Sequence, residues 1–173
     1  MESAIVVLVT VVLVTAAYTD LRSSRIPNVL TFTAMAIGPI AHAYLAGSQG
    51  ILFSLKGLGA GLGLFLLLYA LGGIGAGDVK LMGAVGSMVG PYGALVSGLL
   101  TILIGGVYAL GAMCYQWGVL ATGRKLACAT QGVFLSGAEG WAQELRLPFR
   151  LRYGLAIVGG TLLFLLGLHP FAG

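Results

Sequence analysis

Apolar blocks recur along the chain from Ala4 to Phe171, and only the stretch from Ala121 to Arg152 breaks the pattern. A helix that crosses a bilayer needs about 20 mostly apolar residues. Six segments supply candidates, at 3–19, 28–47, 51–73, 79–91, 93–116 and 153–170. The fourth is short and ends at Pro91, whose ring breaks the backbone hydrogen-bond ladder. One long kinked helix over 79–116 is the alternative there. The pattern predicts an all-α fold, a polytopic membrane protein with about six transmembrane helices forming a single domain over residues 1–173.

Composition strengthens this reading. Of 173 residues, 58% are hydrophobic and 8% charged, whereas a soluble domain carries roughly 25% charged residues. A water-soluble fold cannot hide that much apolar surface. The first block, Ala4 to Ala17, lacks the basic lead of a secretory signal and reads as a retained helix. Twenty-nine glycines suit close packing of membrane helices, and the pairs Gly57/Gly61, Gly59/Gly63 and Gly86/Gly90 are spaced to make small faces. The run Gly72, Gly73, Gly75, Gly77 has neither a preceding strand nor the spacing of a dinucleotide loop.

Charge then orients the spans. Six crossings put segments 20–27, 74–80 and 117–152 on one side, carrying Arg22, Arg25, Lys80, Arg124, Lys125, Arg146, Arg150 and Arg152, with Lys56 alone toward the other. Basic residues mark the cytoplasmic face, so these loops are expected inside and both termini outside. A kinked single helix over 79–116 would spoil that asymmetry. No basic stripe interleaved with aromatics accompanies the net charge of +4, so no nucleic-acid partner is expected. Cys114 and Cys128 form no Cys-x-x-Cys pair, and neither a metal site nor a disulfide framework is suggested. His42 and His169, in or at the ends of apolar helices on the outer side, are read as packed or interfacial residues.

The acidic residues are Glu2, Asp20, Asp78, Glu139 and Glu144. The three glutamates are terminal or lie in the polar loop, where a solvated surface role is the default. Asp20 closes the first helix and Asp78 opens the fourth, so the topology delivers both to one membrane edge. Taken singly, Asp78 is a favourable helix cap, and Asp20 a partner for Arg22 or Arg25. Taken together they are a candidate catalytic pair. Two close carboxylates cannot both ionise, so one can activate water while the other protonates a carbonyl oxygen. A membrane edge supplies the water, and an ionisable group at mid-membrane costs roughly 2.5 to 3.5 kcal/mol on insertion scales. Gly75 and Gly77 are candidate substrate contacts, because glycine lets a substrate backbone approach Asp78. Lys80, with Arg22 and Arg25, could engage acidic groups of a substrate, although anchoring at lipid headgroups accounts for all three.

These residues carry a resemblance. Asp20-Leu-Arg-Ser-Ser-Arg-Ile-Pro-Asn28-Val-Leu-Thr31 and Gly75-Ala-Gly-Asp78-Val-Lys80-Leu-Met82 resemble the two aspartate motifs of bacterial type IV prepilin peptidases. Gly-x-Gly-Asp also marks the wider intramembrane aspartyl proteases, including presenilin and signal peptide peptidase. Val-Lys-Leu-Met narrows it to the prepilin branch. The resemblance implies an aspartic endopeptidase without cofactor or metal, with Asp20 and Asp78 catalytic. It would cut the short basic leader from prepilins at the cytoplasmic face of the inner membrane. Its implied partners are the prepilin leader and hydrophobic helix, membrane lipid and the pilus assembly machinery. Full-length members carry a cysteine-rich domain, linked to methylation of the new pilin terminus, between the first two helices. Here residues 20–27 alone join them, so the chain looks most like the compact peptidases of tight-adherence (Flp) pili, and methyltransferase activity is not expected. One departure is Arg152-Tyr153-Gly154, where relatives typically have Pro-Tyr-Gly before the last helix.

Two other readings fit the residues. One is an archaeal preflagellin-type peptidase with the same pair. The other is a non-enzymatic membrane subunit or transporter using the aspartates as an ion site. In the polar loop, Val133, Phe134, Trp141, Leu145 and Leu147 suit either a surface-lying amphipathic helix or a plain connector.

Overall fold

The computed structural model describes residues 3–23, 26–70, 74–118, 120–124 and 153–167, and among these no strand occurs. The helices are α1 (Ser3–Ser23), α2 (Asn28–Ala70), α3 (Ala76–Trp117) and α4 (Tyr153–Leu165), with a helical turn at 120–124. The all-α expectation holds. Three helices are long and apolar enough to cross a membrane, and α4 is a shorter apolar helix. This is a membrane protein. The expected loop helix, Cys128 and His169 lie outside the described residues, while Cys114 is a free thiol.

A straight helix of 43 residues, the length of α2, would measure about 65 Å, twice the roughly 30 Å hydrocarbon core. It does not run straight. Helical geometry fails at Ala46 (φ −138°, ψ 16°) and Gly47 (φ 58°, ψ −137°), and the positive φ is one that glycine alone adopts freely. The chain folds back there. A Cβ built on Gly50 would collide with the His42 carbonyl, and the His42 and Phe53 rings meet edge to face at 5.2 Å. Eight residues of straight helix would separate the first pair by about 12 Å. α3 breaks in the same way at Gly90 (φ 79°, ψ 178°), one residue before Pro91. A Cβ on Gly86 would lie 3.2 Å from that of Ala94, and one on Gly98 would lie 3.6 Å from Met82 Cε. Each long helix is therefore two antiparallel arms, 28–45 with 48–70 and 76–89 with 91–117. The expected boundary at Pro91 falls at a reversal of the chain, not at a shallow kink.

The leading arm of α3 is the axis of the molecule, with every residue from 81 to 90 buried. A helix apolar on all sides belongs inside. The leading arm of α2 runs parallel to it, pairing Asn28 with Lys80 and His42 with Met88. The trailing arm runs antiparallel, with Gly57 against Gly86 and Gly90, and Gly61 against Met82. These approaches are backbone to backbone, and a Cβ on Gly57 or Gly61 would collide with a carbonyl oxygen. Gly59 and Gly63, expected to form a similar face, instead look onto open space. Two residues turn a helix by about 200°, so only one of the two glycine pairs can face the axis. α4 packs antiparallel on the trailing arm of α3, from Gly105 under Tyr153 to Gly93 beside Phe164.

The reversal at Gly90 leaves helical carbonyls without their usual partners. Ser87 would receive an amide from residue 91, but proline has none, and the Met88 carbonyl lies at the same break. Side chains reach both. Ser54 Oγ donates to the Ser87 carbonyl at 2.5 Å, and His42 Nε2 donates to that of Met88 at 2.9 Å. His42 is thus a packed residue, as its setting suggested.

Candidate active site

Helical phase carries Asp20 inward. α1 buries Val9, Leu13, Ala16 and Asp20, at steps of four, three and four residues that keep them on one face. Asp20 is 6% exposed, and burial of a carboxylate demands polar company. Arg22, one expected partner, donates instead to the Tyr18 hydroxyl at 2.9 Å. Arg25, the other, lies outside the described residues.

Asp78 occupies the third position of α3, and its Oδ2 accepts the Gly75 amide at 3.2 Å. This is the cap that its position suggested, and the helix dipole favours a negative group there. Gly75 is extended (φ −86°, ψ 153°) and exposed; Gly77 packs on Ile26, from which a built Cβ would stand 3.5 Å away. At Gly75 and Gly77 themselves no side chain stands beside Asp78. Lys80 Nζ donates to Asn28 Oδ1 at 2.9 Å and lies 5.0 Å above the Phe32 ring. It joins the segment after Asp20 to the segment after Asp78 across 52 positions of sequence.

The start of α4 packs on Asp20 and lies within charge–charge range of Asp78. A Cβ on Gly154 would lie 2.7 Å from Asp20 Oδ2 and 3.0 Å from its Cγ. The preceding residue, Tyr153, is half-buried with its ring on Gly105, and Asp78 lies within charge–charge range of its hydroxyl. Adjacent Cα atoms are about 3.8 Å apart, so one step of chain touches the surroundings of both carboxylates. Sequence reasoning marked Tyr153 and Gly154 only for the missing proline before them and gave them no role. The available signal was a glycine directly after the last polar loop, at a helix start.

A buried and a half-buried carboxylate at helix ends sit in unlike environments, and such groups can differ in proton affinity and exchange protons with water. Among the described residues, no three His, Cys, Asp or Glu side chains converge as metal ligands would. Residues 7–110 match a family model described as the type IV leader peptidase family. That stretch contains both aspartates and ends before Tyr153. No curated protein and no solved structure matches.

Proposed function

The chain belongs to the type IV leader peptidase family, and from that premise we propose that it is an aspartic endopeptidase of the bacterial inner membrane, using Asp20 and Asp78 to remove prepilin leaders. The observation that supports this reading is the packing of Gly154 on the Asp20 carboxylate, with Asp78 within charge–charge range of the adjacent Tyr153, although 57 residues separate Asp20 from Asp78 in the chain. In the proposed reaction the ionised member of the pair takes a proton from water as the oxygen attacks the scissile carbonyl. The protonated member donates to the carbonyl oxygen, and the leaving amine is protonated as the tetrahedral intermediate collapses. Gly75 and Gly77 admit the substrate backbone beside Asp78, and Lys80 flanks that approach.

The proposed topology has six crossings: α1, both arms of α2, both arms of α3, and α4. It places the aspartates on the basic, cytoplasmic side, where a charged leader is available. The short join after α1 supports a compact peptidase acting on Flp-type prepilins without methylating them. Reconstituted in liposomes with such a prepilin, the wild-type protein is expected to release the leader, and Asp20→Asn and Asp78→Asn each to release none above background. Wild-type rates in either variant would remove the aspartic mechanism. Release of an archaeal preflagellin leader in preference to the Flp leader would change the substrate class and keep the chemistry.

A further inference from the structure

α4 enters the bundle through a residue with no side chain, at the point where a buried carboxylate lies. The collision that a Cβ at Gly154 would cause is with Asp20 Oδ2, Cγ and Cβ, not with backbone. Six residues further along the same helix, a Cβ at Gly160 would strike the Thr101 amide nitrogen and the Ser97 carbonyl oxygen as well as Thr101 Oγ1. Gly160 serves helix packing. Gly154 serves the place of one carboxylate.

Tyr153 is fixed from the other side. A Cβ on Gly105 would come within 3.0 Å of its ring carbons Cε1 and Cδ1, so the ring lies on the bare backbone of the trailing arm of α3 and its swing is limited. Successive side chains on a helix diverge by about 100°, so position 154 faces Asp20 while the Tyr153 ring lies on Gly105, with Asp78 within charge–charge range. A phenol can donate one hydrogen bond to a carboxylate or to a substrate oxygen. The amides of the first turn of α4 also have no partner within the helix.

We propose that Tyr153–Gly154 is a positioning element of the active site: Gly154 sets how far Asp20 reaches toward Asp78, and the Tyr153 hydroxyl steadies the Asp78 side of the pair. The proposal rests on the reading of Asp20 and Asp78 as catalytic. An added methyl at 154 would turn the Asp20 carboxylate aside, a motion about its own two torsions that leaves the bundle intact. Folding would survive and the pair would be misaligned.

The test uses the full chain in liposomes with a prepilin carrying a basic leader, and reads kcat, KM and thermal unfolding together. Gly154→Ala is expected to lower kcat about 100-fold, the scale of a misplacement near 1 Å, with unfolding temperature kept. Tyr153→Phe, which retains the ring on Gly105, is expected to lower kcat about tenfold, the scale of one bond to a charged group. KM should remain near wild type in both. Gly159→Ala, on the same helix with only Ile104 Cδ1 nearby at 3.4 Å, is expected to stay within about twofold in kcat. Wild-type kcat in either Gly154→Ala or Tyr153→Phe overturns the proposal, as does a loss matched by an equal loss of folded protein. If Gly154→Ala fails to fold, Tyr153→Phe decides. Asp20→Asn and Asp78→Asn run beside them: activity in those variants defeats the aspartic mechanism, whereas inactivity there with normal Tyr153→Phe defeats only the positioning role.

Discussion

The leading arm of α3 ends in two different ways. At Gly90 it is sealed: the turn lies under the Phe53 ring and against Gly57, and the freed carbonyls of Ser87 and Met88 receive side chains from both arms of α2. At Asp78 it is open: Gly75 is exposed, and the aspartate takes one backbone amide across the turn. Both ends have the same problem, unpaired backbone groups where a helix stops. One solves it with buried neighbours. The other solves it with a carboxylate and leaves Gly75 exposed, which is what the proposed encounter with water and substrate requires.

Substitutions at the two ends should therefore separate stability from turnover. The largest effect is expected from Gly90→Val, where positive φ and the Phe53 ring both oppose a side chain; stability should fall by about 3–5 kcal/mol, read by thermal unfolding in detergent. Ser54→Ala strands a buried carbonyl and should lower stability by about 1–3 kcal/mol, with kcat of the folded fraction unchanged. A fall in kcat at full stability would show instead that the sealed end tunes the site. At the open end, Gly75→Ala fits the extended backbone, but its Cβ would stand 3.2 Å from Asp78 Oδ2. It should leave unfolding unmoved and reduce kcat roughly three- to tenfold. The smallest effect belongs to neither end: Gly59→Ala, facing open space, should raise stability by about 0.5 kcal/mol through helix propensity, with leader release unaltered.

Much of this arrangement is legible in local sequence, because local rules govern it. Glycine and proline mark the reversals at 46–47 and 90–91, and apolar block lengths mark the arms. The steps from Val9 through Leu13 and Ala16 to Asp20 reveal, in hindsight, that Asp20 points inward. What could not be read depends on partners distant in sequence. Gly57/Gly61 and Gly59/Gly63 have identical spacing, and only the position of α3 decides which pair is used. Lys80 resembles a headgroup anchor until its bond to Asn28 is seen. Tyr153 and Gly154 acquire meaning only once α4 is laid antiparallel on the trailing arm of α3, bringing residues 20, 78, 105 and 153–154 together.

The axial arm is also short. Residues 76–89 rise about 21 Å, against roughly 30 Å of hydrocarbon, while the trailing arm of α3 continues from Gly105, level with Tyr153, to Trp117, roughly 18 Å further. Among the described residues, the trailing arm of α3 thus runs well past the level of Tyr153, and a bilayer meeting helix ends of unequal height responds by thinning locally. If the proposed pair cuts leaders there, a thinner bilayer shortens the path by which water and a polar leader reach it, and leader release is expected to vary with acyl-chain length.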